Sequence, residues 1–249
     1  MARLARLSIE GWPHLVLQRV HEGQTMVRDD TDRAALLDAL REAARLANVS
    51  IHAYSIGADR LLLLATPHDA QGLSRMMQAF GRRYVAIFNR RHSRSGSLWA
   101  ERFRATVIEP SSHLLDGMAY VELDPLGCDQ PPVPGSLAER AAADRGSSAA
   151  HHLGQRSDVL VSDHPVYWAL GNTPFEREAA YRKRLDEGLS ATQRVAITDA
   201  LHKGWALGSE AFRAELAKHC KRRLTPLRRG RPRKTTPPTP LSEVESVAS

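Results

Sequence analysis

The chain has 249 residues, a quarter of them charged and 42% apolar, enough to bury a core in one large domain or two small ones. Its formal net charge of +7 is uneven, because Lys221 to Lys234 holds eight Lys or Arg and no acid, while the remainder carries 27 basic and 28 acidic residues. Two cysteines exclude a disulfide framework and a cysteine zinc site, and no apolar run suits a signal peptide or a membrane span, so a cytoplasmic protein with no membrane partner is expected.

In chain order, Leu15 to Val20 reads as a strand after the Gly11-Trp12-Pro13 turn. Thr31 can cap a helix carrying Leu36, Leu37, Leu40, Ala44 and Leu46 at helical spacing. Ser50 to Ile56 and Arg60 to Thr66 flank a three-residue turn, Gly57-Ala58-Asp59, which is a hairpin pattern. Leu73, Met76, Met77, Phe80, Tyr84, Ile87 and Phe88 fit a long amphipathic helix. Phe103 to Ile108 is strand-like and ends at Pro110. Ser111 and Ser112 then open a helix with Leu114, Leu115, Met118 and Val121 on its apolar side, halted at Asp124-Pro125. The order βαββαβ followed by a helix predicts an α+β, ferredoxin-like domain: an antiparallel sheet with helices on one face. Its open face must take a binding site, a dimer partner or a later part of the chain.

The sequence divides into this domain over 1–127, a linker over 128–162, a helical region over 163–224 and a disordered basic, proline-rich tail over 225–249. Ser190 and Gln193 have capping-box spacing for a helix that ends near Gly204, and Gly208-Ser209 starts another bearing Phe212 and Leu216. Such a pair can be a DNA-binding helix-turn-helix, although most are ordinary packed hairpins. A second basic cluster runs from Arg82 to Arg104, with seven arginines against one acid, Glu101. Two basic clusters on a neutral body point to DNA as partner through Arg82, Arg83, Arg90, Arg91, Arg102 and Arg104. Trp99 and Phe103 among them could stack on unpaired bases, or Trp99 could anchor its segment to the core. In the tail, Arg229, Gly230, Arg231, Pro232, Arg233 and Lys234 form a slim basic segment able to enter the narrow minor groove of AT-rich duplex.

Several stretches resemble REP-associated tyrosine transposases, a branch of the HUH single-stranded DNA transposase superfamily. They are Met1-Ala2-Arg3 through VRDD (27–30), IHAY (51–54), MQAFGRRY (77–84), FNRR (88–91) with GSLWAERF (96–103), AYVELDP (119–125), HPVYWALG (164–171), GWALGS (204–209) and the final GRPRK (230–234). The resemblance implies DNA transposition. A tyrosine attacks a phosphodiester in single-stranded or hairpin DNA, giving a 5′-phosphotyrosine, beside one divalent metal such as Mg²⁺ or Mn²⁺. It places the nucleophile at Tyr120 and a third metal ligand at Asp124, one helical turn on. The family's His-hydrophobe-His pair, whose alternate residues face one ion from one strand, falls on Arg60 and Leu62. Leucine donates nothing to a metal and arginine repels it. The expectation is therefore a DNA-binding member, possible as a homodimer, that has lost metal binding and metal-dependent cleavage. The alternatives are an active enzyme working through Tyr120, and a duplex-binding regulator. His14 and His52 read as structural histidines, since a hairpin centred on Ala58 sets His52 across from about position 64. His151-His152, in a loop without partner ligands, reads as no metal site.

Overall fold

A computed structural model describes residues 7–124, 135–220 and 222–225. Strand β1 (His14–Arg19) leads into helix α1 (Asp30–Ala47), then strands β2 (Val49–Ile56) and β3 (Arg60–Pro67), helix α2 (Gly72–Arg91), strand β4 (Arg104–Val107) and helix α3 (Pro110–Glu122). These four strands pair antiparallel, in the sheet order β2-β3-β1-β4. This is the ferredoxin-like order expected from the sequence. The cap of α1 differs from that expectation. Asp29 rather than Thr31 is the N-cap, its side chain accepting from Asp32 N–H at 2.9 Å. At the other end Asn48 takes the left-handed conformation, φ 52°, that asparagine tolerates better than most residues.

The run Leu61-Leu62-Leu63-Leu64 in β3 determines the layering, because successive side chains alternate between faces. Leu61 and Leu63 join Val16, Tyr54 and the apolar sides of α1 and α2, among them Leu36, Leu40, Met76, Phe80 and Tyr84. Leu62 and Leu64 join Leu15, Leu17 and Ala53 under Leu114, Met118 and Val121 of α3. Helices therefore cover both faces, not one as expected, and α3 lies on the second. That face is completed by later chain: α4 (Leu137–Ala143), α5 (Ala149–His152), α6 (Pro165–Trp168), α7 (Pro174–Glu187) and α8 (Ala191–Lys203), which contribute Ala141, Leu153, Tyr181, Leu185, Ile197 and Leu201 to the same core. Of the three occupants left open for that face, the later part of the chain fills it. Two short helices, α4 and α5, lie where a linker was expected; its first residues, 128–134, lie outside the described residues.

Both sheet edges are also used. Along β2, Ile56 N–H donates to Gly146 at 2.8 Å, Tyr54 N–H to Ser148 Oγ at 3.0 Å, and Ser162 N–H to Ile51 at 2.7 Å. Beyond β4, Leu207 N–H donates to Val107 and Glu109 N–H to Leu207, so residues 205–209 continue the pairing. Helix α9 (Glu210–His219) spends its apolar side, Phe212 and Leu216, on Leu7, Ile9 and Val107. Helices α8 and α9 thus bury their apolar sides in different cores, Ile197 and Leu201 of α8 under α3 and Phe212 and Leu216 of α9 beyond β4. Ser190 does form the capping box with Gln193.

One charged cluster ties α1 to α2. Asp32 is buried, accepting from Arg28 N–H at 2.9 Å, from Arg91, and from His92 Nε2 at 2.8 Å, while Arg91 also bridges Asp29 at 2.7 Å. Arg91 holds the Asp29 carboxyl down to about 2, chiefly through their hydrogen bond. A carboxylate depressed in this way stabilises the fold fully above the usual carboxylate range and loses that contribution as pH falls towards about 2. Arg91→Ala should lower the urea midpoint at neutral pH and flatten the acid limb of the stability curve between about pH 4 and pH 2. An unchanged acid limb in that variant would sink the assignment.

Candidate functional site

The turn joining β2 and β3 sets one end of the site. Gly57 N–H closes it on Arg60 O at 2.8 Å, and Val20 N–H and Met26 N–H hold it from outside through Asp59 O and Ala58 O. Arg60 is the first residue of β3 and lies on the same face as Leu62, towards α3. Its Nε donates to Asp124 Oδ2 at 2.9 Å, with the Arg60 side chain 33% exposed and that of Asp124 10%. Burial pushes the Asp124 carboxyl above its ordinary range, and the Arg60 hydrogen bond and charge pull against that rise. Burial likewise works against the Arg60 charge, but Asp124 and then Asp59 outweigh it and hold the guanidinium above its ordinary range.

Tyr120 stands one turn before Asp124, half-buried, with its hydroxyl 3.1 Å from Thr198 Oγ1 of α8. Leu62 is 2% exposed and packs across from Leu17 in the core beneath α3. The structure thus brings Tyr120, Asp124 and Arg60 together, with Leu62 sealed below. Arg19, which the sequence reading missed, lies directly across from Arg60 in the β1–β3 register. It makes no ion pair among the described residues and lines a cavity of about 540 Å³ with His21, Asp59 and Glu101. Strand register was the signal that could have found it.

The divalent metal implied by the resemblance does not fit here. The Asp124 oxygen is engaged by a guanidinium, the neighbouring strand position is an apolar core residue, and no cluster of His, Cys, Asp or Glu gathers around Asp124 among the described residues. His14 and His52 are satisfied structural histidines. His14 bonds Trp12 O at 2.7 Å and Ile9 N–H at 3.2 Å; His52 bonds Ser162 O at 2.6 Å and Thr66 Oγ1 at 2.8 Å. Burial lowers each to about 4, so both are neutral at physiological pH. His52 occupies a bulge between Ile51 and Ala53, away from Arg60.

The basic residues separate into two kinds. Arg82, Arg83 and Arg90 of α2 and Arg102 are exposed. Arg91 is held by Asp29 and Asp32, and Arg104 by Glu101 at 2.7 Å and by His202. Arg102 lines a groove of about 730 Å³ between α2 and residues 97–103, with Arg75, Gln78 and Trp99 also on its wall. Trp99 is half-buried against Phe80 and Tyr84, ring centroids 5.7 and 6.4 Å away, and Phe103 is buried, so both anchor their segment to the core. Arg229, Gly230, Arg231, Pro232, Arg233 and Lys234 lie outside the described residues.

No family model matches the sequence, and no curated protein matches it. Among solved structures, 66% of the chain superposes on 99% of a REP-associated tyrosine transposase bound to a REP hairpin, at 12% identity and a TM-score of 0.51. The chain has the fold of a REP-associated tyrosine transposase. A crystal structure of a putative transposase from Deinococcus radiodurans matches over 45% of this chain and 89% of its own, at 18% identity and a TM-score of 0.34. A bacterial tRNA(His) guanylyltransferase-like protein in complex with GTP matches over 48% of this chain and 64% of its own, at 15% identity and a TM-score of 0.35. No helix among the described residues is long and apolar enough to cross a membrane.

Within this transposase fold the Arg60–Asp124 pair makes a direct expectation. Because Arg60 opposes the rise that burial imposes on Asp124, Arg60→Gln should move the Asp124 carboxyl titration to still higher pH. Carboxyl-carbon NMR reads this. A midpoint that stays or falls would mean that the two groups are uncoupled.

Proposed function

We propose that this chain is a DNA-binding protein built on the tyrosine transposase fold, which engages single-stranded or hairpin DNA and does not carry out metal-dependent cleavage. The observation that carries this reading is the Arg60–Asp124 ion pair beside Tyr120. On the placement that the resemblance implies, a fixed cation and an apolar floor stand where transposase chemistry needs ligands for a metal ion. A guanidinium attracts a phosphate but cannot make an inner-sphere bond to it, so the arrangement favours holding a phosphodiester over breaking it. Arg19, exposed across the register from Arg60, adds a second positive charge on that side.

The exposed arginines supply the remaining affinity. Arg82, Arg83, Arg90 and Arg102 are available to phosphates, whereas Arg91 and Arg104 serve the fold through their ion pairs. The fold likeness supports DNA as the ligand, since the superposed transposase is described as bound to a REP hairpin. In this reading the tail segment Arg229 to Lys234 adds sequence-tolerant contacts and can reach an AT-rich minor groove.

Fluorescence anisotropy with a labelled hairpin oligonucleotide over a salt series tests the binding. The full chain should bind with a steep salt dependence, and the Arg82→Ala, Arg90→Ala, Arg102→Ala triple variant should reduce the log–log slope by about two, at roughly 0.7 per lost single-strand phosphate contact. Binding without salt dependence, or none, would overturn the reading. For cleavage, incubation with the same oligonucleotide and Mg²⁺ or Mn²⁺ should give no covalent adduct. An adduct that disappears in Tyr120→Phe would establish an active enzyme instead.

A further inference from the structure

Glu122, the last residue of α3, is fully buried, and its carboxylate is surrounded by donors from later chain. Ser148 Oγ donates to Oε1 at 2.5 Å, His152 Nδ1 lies 2.6 Å from the same oxygen, and Tyr181 OH donates to Oε2 at 2.7 Å. The Glu122 carboxylate accepts from Nδ1–H of His152, which leaves Nε2 on the far side of the ring, turned away from Glu122. His152 is itself fully buried, and Nε2 meets no hydrogen-bond donor among the described residues. What it faces is Asp163 Oδ1, 3.7 Å away, also buried and also without a properly oriented donor. His151 Nε2 lies 3.4 Å from the same oxygen, and the three ligand atoms fall within 4.8 Å of one another. These three groups converge on one point beside the Nε2 of His152, an atom held out of water with no hydrogen-bond partner among the described residues.

We infer that His152, Asp163 and His151 bind one divalent transition-metal ion of the zinc class. Ligand atoms about 2.0–2.1 Å from a tetrahedral ion stand roughly 3.3–3.4 Å apart, so the 3.4 and 3.7 Å separations from Asp163 nearly fit, and the third, which lies within 4.8 Å, closes by rotation of the His151 ring. Two imidazoles with one carboxylate suit zinc and not Mg²⁺ or Ca²⁺, which prefer oxygen throughout. Glu122 plays the part of the carboxylate that orients a metal-bound histidine through its other nitrogen. The remaining coordination position opens into a cavity of about 270 Å³ lined by His151, Gly154, Asp163, Tyr167 and Glu178. Arg177 also lines it, but stacks on Trp168 at 4.1 Å and donates to Gly171 O.

His151 is the weakest of the three ligands. Its Nδ1 accepts from Asp158 N–H at 3.1 Å, which places the ring proton on Nε2, so ligation costs either that proton or that bond. The sequence reading found no partner ligand for His151-His152. Asp163 is that partner, brought in by the hydrogen bond of Ser162 to the β2 edge. This site is separate from Arg60 and Leu62, and does not depend on whether the chain binds DNA.

The test is calorimetric titration of chelator-stripped, full-length protein with Zn²⁺, with native mass spectrometry for stoichiometry and Co²⁺ absorption for geometry. One ion per chain is expected, with tetrahedral Co²⁺ bands, and excess Mg²⁺ should not compete. Asp163→Asn, which keeps the side-chain shape, should weaken Zn²⁺ binding roughly tenfold or more without changing the melting temperature of the stripped protein. His68→Ala, an exposed control, should leave the affinity unchanged. Failure of the wild type to bind Zn²⁺ stoichiometrically would overturn the inference. So would equal affinity in Asp163→Asn, or an NMR spectrum in which His152 Nε2 stays protonated under excess Zn²⁺.

Discussion

Four leucines in succession at the centre of a sheet impose a demand that cannot be met from one side. Leu61 and Leu63 need cover on one face and Leu62 and Leu64 on the other, and burying a leucine side chain stabilises by roughly 1.5–3 kcal/mol. Helices α1 and α2 meet the first demand, and α3 with α7 and α8 meet the second. Once Leu62 is part of that second core, the strand position has no polar atom to offer a ligand. Arg60, at the mouth of the same strand, is partly buried and has its charge compensated by the hydrogen bond to Asp124. The chemistry available at Tyr120 thus follows from how the sheet is closed.

The same closure sorts the arginines. A positive charge near a buried carboxylate becomes structural, as Arg91 does beside Asp32, because leaving that carboxylate unpaired costs more than a solvated arginine gains elsewhere. Arginines on the outer side of α2 have no such partner among the described residues and keep their charge facing water. A basic stretch that looks uniform along the chain therefore contains two populations.

Local pattern revealed the strands, α2 and the βαββαβ order, since these rest on spacing within about twenty residues. The hairpin was legible but its register was not. A centre on Ala58 sets position 54 across from 62, whereas Tyr54 pairs with Leu63, and only the bulge at His52 brings Ile51 opposite Ala65 as that centre requires. What else escaped depended on partners far along the chain. Arg60 meets Asp124 across 64 positions and Arg91 meets Asp29 across 62. The cap of α1 escaped for another reason: Asp29 and Thr31 both have capping side chains, and apolar spacing does not distinguish them. Helices α4 and α5 are short and alanine-rich, so their apolar signal is weak, and packing against α3 and α7 supplies what propensity does not. The pairing of His152 with Glu122 and Asp163 needed the fold before it could be seen.

Glu122 has a consequence for how the molecule comes into being. During synthesis the sheet and its three helices leave the ribosome first, ending in a carboxylate whose donors, Ser148, His152 and Tyr181, are still to be made. Until Tyr181 emerges, the end of α3 must remain wet, and the second face of the sheet has α3 alone for cover. The nascent chain is therefore most vulnerable to self-association in the interval between those two stretches, and a ribosome that stalls there leaves a half-clad sheet for the chaperones to shield.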